Sequence, residues 1–223
     1  LMSLGLEGKI LKLVHATTPQ PPATLSATGA FSDLATLTPA SGVLPFDLNS
    51  PLWSDNAVKQ RWIAVPNNGA PYDTTETVGF NATSEWSYPA GTVLIKHFDL
   101  PIDDTNPTVR KRIETRFSVK TAAGDWYGVT YKWRADGRDA DLLDSSATED
   151  IAITTADGGT RVQPWYFPSR NDCTSCHIPA SSQVLGPRTW QLNGTYAYPG
   201  TSTTGNQLQI WSDLGMFDQT FTT

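Results

Sequence analysis

Cys173-Thr174-Ser175-Cys176-His177 is the stretch of this chain in which reactive side chains stand at a spacing that specifies chemistry. A C-x-x-C-H sequence is the attachment signal of c-type haem. On one helical turn the two thiols can each form a thioether with a haem vinyl group, while the next residue projects its imidazole beneath the iron as proximal ligand. The chain holds only 2 cysteines and 3 histidines, so finding both cysteines and one of the histidines in one pentapeptide is a specific signal. Two other readings stand beside it. A Cys173–Cys176 disulfide or redox dithiol would ordinarily open a long helix in a βαβ unit, which this sequence lacks. A zinc site needs about four ligands, and no second ligand pair is present.

The second axial ligand is open at this level. Met216 has the thioether that raises haem potentials in small cytochromes c. Just beyond Gly215, it equally suits the apolar position that packs back on a closing helix. His97, in Thr92-Val-Leu-Ile-Lys-His-Phe-Asp-Leu100, shares a strand face with Val93 and Ile95, a setting equally suited to a hydrogen-bonded core histidine. His15, a ligand from another chain and an open site are the remaining choices. Arg170 and Arg188 flank the haem motif as candidate propionate partners. Trp165, Tyr166, Phe167 and Trp190 would wall the haem or serve as ordinary core. The acidic run Asp136 to Asp144 lacks the D-x-D-x-D-G calcium loop and reads as a solvated turn. No hydrolase signature such as G-x-S-x-G or H-E-x-x-H is present.

These residues need a scaffold, and the sequence predicts a mainly β one. Strands are expected near Lys59–Val65, Thr92–Leu100, Val109–Lys120, Asp125–Arg134, Ile151–Thr155 and Arg161–Tyr166, the clearest being the alternating pair around Thr121-Ala-Ala-Gly-Asp125. Short strands separated by turn residues imply an antiparallel β-sandwich, jelly-roll-like, with a small C-terminal helical haem-binding segment. One short helix is expected over Leu25–Leu37, and helical turns over Asn171–His177, Pro187–Asn193 and Asn206–Leu214. The chain divides into an N-terminal strand and Pro-rich linker (1–26), a sandwich-like domain (27–167) and the C-x-x-C-H segment (168–223).

The 223 residues, with 8 Trp, 7 Tyr and 8 Phe, suffice for a real core. A net charge of −6 argues against nucleic acid as a partner. No apolar run reaches the ~20 residues of a membrane span. Leu1 to Val14 lacks the pattern of a signal peptide, so the chain reads as mature, trimmed or cytosolic. Covalent haem decides for the periplasm or the extracellular space.

Leu44-Pro-Phe-Asp-Leu-Asn-Ser-Pro-Leu-Trp53-Ser-Asp, Pro89-Ala-Gly-Thr-Val-Leu-Ile-Lys96, Arg112-Ile-Glu-Thr-Arg116, Tyr131-Lys-Trp133, Trp165-Tyr-Phe-Pro-Ser-Arg170-Asn-Asp-Cys173, Leu185-Gly-Pro-Arg188 and Gln191-Leu-Asn193 together resemble a bacterial family of secreted haem-motif domains. Members are often fused behind β-propellers resembling pyrroloquinoline-quinone (PQQ)-dependent sugar (glucose or sorbosone) dehydrogenases. The resemblance implies one covalent haem c, a redox partner protein such as a PQQ-type dehydrogenase, and a Gly8–Val14 segment that closes such a propeller. It does not assure Met216 or His97 as a ligand.

The function expected is a monohaem c-type cytochrome domain for extracytoplasmic electron transfer, an electron carrier more than an independent catalyst. Within that class a homo-oligomer or filament could form an extracellular electron conduit. From other classes stand a non-redox β-sandwich module binding carbohydrate or protein, with a C-x-x-C disulfide or metal site, and a peroxidase-like enzyme at an open haem.

Overall fold

The computed structural model describes residues 2–4, 10–12, 20–68, 72–178 and 183–220. It is mainly β and antiparallel, as expected, with a small C-terminal helical segment. Strands β1 (Met2–Leu4) and β2 (Ile10–Lys12) form a hairpin. A 3-10 turn at Ser26–Thr28 precedes β3 (Phe31–Asp33) and β4 (Thr38–Pro39). The main sheet contains β5 (Val43–Phe46), β6 (Val58–Ala64), β7 (Val93–Pro101), β8 (Arg110–Lys120), β9 (Trp126–Trp133) and β10 (Ala140–Leu142). Its strand order is β10-β9-β8-β7-β6-β5, an up-and-down meander in which chain neighbours are sheet neighbours. The β8–β9 turn closes at Gly124, whose φ of +91° suits glycine. A separate hairpin joins β11 (Ala147–Thr154) to β12 (Thr160–Phe167). Then follow α1 (Arg170–Cys176), α2 (Thr189–Leu192), the β13 (Thr195–Ala197) and β14 (Thr204–Asn206) pair, and α3 (Gln207–Asp213).

Alternation gives the main sheet two faces with different covers. On one, Trp62, Ile95, Phe117, Val129, Tyr131 and Trp133 meet Leu25, Ala30, Phe31 and Leu37 from the N-terminal stretch. This is where the expected Leu25–Leu37 helix fails. Gly29 takes φ +69° and Leu37 φ +54°, while the Asp33 carboxylate accepts the Ala35 N–H at 2.8 Å. These turn geometries break a helix and leave a 3-10 turn and a short strand pair. The apolar positions still reach the core.

The other face is covered from the C-terminal side. Ile63, Phe46 and Trp126 share a core with Leu192, Leu208, Trp211, Met216 and Phe217, so the C-terminal residues pack into the main sheet's own core. Farther along the strands Phe98, Leu100 and Ile113 take Ile151, Ile153, Trp165 and Phe167 of the hairpin. Each such buried side chain contributes about 1.5–3 kcal/mol. Between these two packed regions α1 lies across β9 and bounds a cleft. Among the described residues no helix is long and apolar enough to cross a membrane.

Candidate haem-binding cleft

Helix α1 starts after Pro168, where Ser169 caps it. The Ser169 Oγ accepts the Asp172 N–H at 3.4 Å, and the Asp172 carboxylate accepts the Ser169 N–H at 2.8 Å, a reciprocal capping box. The Ser169 hydroxyl, the Ser169 N–H and the Tyr166 hydroxyl hold the Asp172 carboxyl below its usual range.

The seat of α1 on the sheet is set by a missing side chain. At Gly128 of β9 an added Cβ would lie 2.6 Å from Cys173 Sγ and 2.7 Å from Cys173 Cβ. Only glycine leaves the first cysteine room against the strand. The Cys173 thiol bonds the Ser169 carbonyl at 3.4 Å, and burial is the main cause pushing its pKa up. A reactive dithiol needs the opposite shift. The two thiols are not joined to each other.

The helix ends with His177, whose N–H bonds the Cys173 carbonyl. Its ring Nδ1 lies 2.7 Å from the Gln183 carbonyl. A carbonyl only accepts, so Nδ1 carries the proton and Nε2 holds the lone pair that a metal requires. Gln183 presents that carbonyl from a left-handed φ of +61°, a strained conformation for a non-glycine residue costing of order 1 kcal/mol. Its own N–H bonds the Ile178 carbonyl at 3.0 Å.

Cys173, Cys176 and His177 open together onto one cleft of about 310 Å³, walled by Phe46, Leu48, Leu94, Trp126, Tyr127 and Leu185. Apolar walls, two adjacent thiols and an imidazole with its Nδ1 committed form a donor set suited to covalent haem. Cys173 and Cys176 would carry the thioethers, and His177 would ligate iron, supplying one-electron redox chemistry.

The remaining candidates lie elsewhere. His97 is on the opposite sheet face from the cleft and fully buried. Its Nδ1 lies 2.8 Å from Thr115 Oγ1 and its Nε2 3.1 Å from Asp99 Oδ1, so both nitrogens are taken and it is corrected to a core histidine. Met216 is also corrected. Its N–H bonds the Trp211 carbonyl at 3.0 Å, Gly215 sits at φ +73°, and its side chain is buried with Trp211 and Phe217. That is the helix-closing arrangement, outside the cleft lining. Arg170 stacks over Tyr127, and Arg188 pairs with Glu85 and stacks over Trp190. Neither lines the cleft. His15 lies outside the described residues. Asp139 and Asp141 of the acidic run are occupied by Ser26 and Arg134. Among the described residues no three His, Cys, Asp or Glu side chains gather as a metal cluster, whereas haem iron asks for the single imidazole.

The cleft also holds residues the sequence reading passed over: Arg61, Lys96 and Arg116. A signal was there, since each is a cation in the middle of a predicted strand, where charges are rare. Compared with protein-family models, curated proteins and solved structures, the chain finds no match.

Proposed function

We propose that this chain is a monohaem c-type cytochrome domain that carries single electrons outside the cytoplasm. The observation that carries the reading is the His177 imidazole, fixed by its Nδ1 bond to Gln183 O and lining the same cleft as both cysteines. The apolar walls favour burial of a flat macrocycle, and the exposed Cys176 at the cleft would leave one edge accessible to a partner. Periplasmic or extracellular placement, a PQQ-dependent dehydrogenase as electron donor, and membership of the secreted haem-motif family belong to the same proposal. The net charge of −6 favours a basic redox partner.

The test is a pyridine haemochrome assay with reduced-minus-oxidised spectra, on protein produced together with c-type haem attachment machinery. A c-type spectrum without the methionine-to-iron charge-transfer band is expected, because Met216 is committed to the core. Absence of haem would overturn the reading. Cys173 and Cys176 would then be a thiol pair on a β-rich binding module.

A further inference from the structure

Arg61, Lys96 and Arg116 form one register row across β6, β7 and β8, each opposite the next. All three line the cleft. Like charges opposite one another destabilise a sheet, and this row is only partly neutralised. Arg61 donates to Asp47 at 2.7 Å, and Arg116 donates to the buried Glu114 carboxylate. The Lys96 ammonium has neither an ion pair nor a hydrogen bond among the described residues, and it lies 4.9 Å above the Phe98 ring. Arg116 Nε is buried with no hydrogen-bond partner. Burial first, then Arg61 and Arg116, push Lys96 down to about 7. An anion brought into the cleft would reverse that shift.

Position narrows the anion. Cys173 is seated on β9 at Gly128. Gly128 stands in register with Ser118, Leu94 and Ile63. With strands ~4.8 Å apart and a rise of ~3.4 Å per residue, Arg116, Lys96 and Arg61 therefore lie one, two and three strands away and two residues along, about 8, 12 and 16 Å at the backbone. That is the order of the distance from the thioether edge of a haem to its carboxylate edge. We propose that Arg61, Lys96 and Arg116 are the seat of the two haem propionates, an assignment that rests on the cytochrome reading above. The guanidiniums have N–H groups left beyond those given to Asp47 and Glu114, and Lys96 supplies the charge without a carboxylate of its own. Cations at the propionates favour the reduced haem, which carries one positive charge fewer, and so raise its potential.

The experiment compares holoprotein with Lys96→Met, Lys96→Arg, Arg170→Met and Arg188→Met by redox titration and by resonance Raman of the propionate bending mode. Lys96→Met is expected to lower the midpoint potential and shift that mode with the iron's spin state unchanged. Lys96→Arg restores both, and the other two variants leave both in place. An unchanged potential and mode in Lys96→Met would overturn the proposal. So would conversion to a high-spin haem with new carbon monoxide binding, which would make Lys96 an iron ligand. A wild type without haem removes the cytochrome reading itself, and is seen before any variant is compared.

Discussion

The two faces of the main sheet hold polar groups on opposite terms. On the N-terminal side, Trp133 Nε1 donates to Thr115 Oγ1 at 3.0 Å, Thr115 meets His97 Nδ1, and His97 Nε2 meets Asp99. Each link has its partner inside the protein, which is the condition for a buried polar group to stabilise. On the cleft side, one residue along β7, the Lys96 ammonium has no such partner among the described residues, and among them His177 across the cleft bonds through Nδ1 alone. Both histidines have a bonded Nδ1. What separates the core histidine from the proposed iron ligand is the second nitrogen: bonded to Asp99 in His97, and without a hydrogen bond among the described residues in His177.

Substitutions at the two histidines break the comparison most sharply. His177→Ala is expected to abolish the low-spin haem spectrum while the thioethers hold the haem, read by absorption and intact mass. His97→Ala should leave the spectrum unchanged and cost about 2–4 kcal/mol in denaturant melts, through a cavity and orphaned Thr115 and Asp99 groups. A spectral loss in His97→Ala would erase the distinction. Next in size, Gly128→Ala forces a Cβ against Cys173. It should cost about 1–3 kcal/mol and lower the yield of haem attachment, measured as haem per polypeptide.

Period-two alternation is a local signal, so four strands of the main sheet and both strands of the separate hairpin were legible in the sequence to within a few residues of their ends, whereas the short edge strands β5 and β10 were not. The β8–β9 pairing follows from the short turn Thr121–Asp125, whereas β6 and β7 are neighbours across the 28 residues between Ala64 and Val93, where no local signal marks the pairing. Over Leu25–Leu37 the three-residue spacing of Phe31, Leu34 and Leu37 imitates a helical stripe, but Gly29 and the Asp33 side-chain turn set the backbone instead. At the site, Cys173, Cys176 and His177 were legible because one helical turn places them. Cross-strand register was not, and it alone brings Arg61, Lys96 and Arg116 into one row. Arg170 and Arg188 were chosen for nearness in sequence, yet their guanidiniums end on Tyr127 and Glu85.

A pH measurement sharpens the contrast further. In a haem-free Cys173→Ser/Cys176→Ser variant, Lys96 has a folded pKa of about 7 against an ordinary 10.5. Above pH 7 the unfolded chain keeps a proton that the folded chain sheds, so this group makes stability rise with pH. The rise should be about 2 kcal/mol between about pH 7 and 9, and should vanish when Lys96→Met is added. Propionates that pair with Lys96 would flatten it in the holoprotein. The smallest effect is expected at Ser169→Ala, a loss of about 1 kcal/mol from the α1 cap without change in haem content.

The central claim is that the two cysteines carry a haem, and intact mass spectrometry under denaturing conditions tests it most directly. Protein made with haem attachment machinery should gain the mass of one haem, and the Cys173→Ser/Cys176→Ser variant should gain none. A wild type at the bare polypeptide mass, with both thiols open to alkylation, would contradict the account.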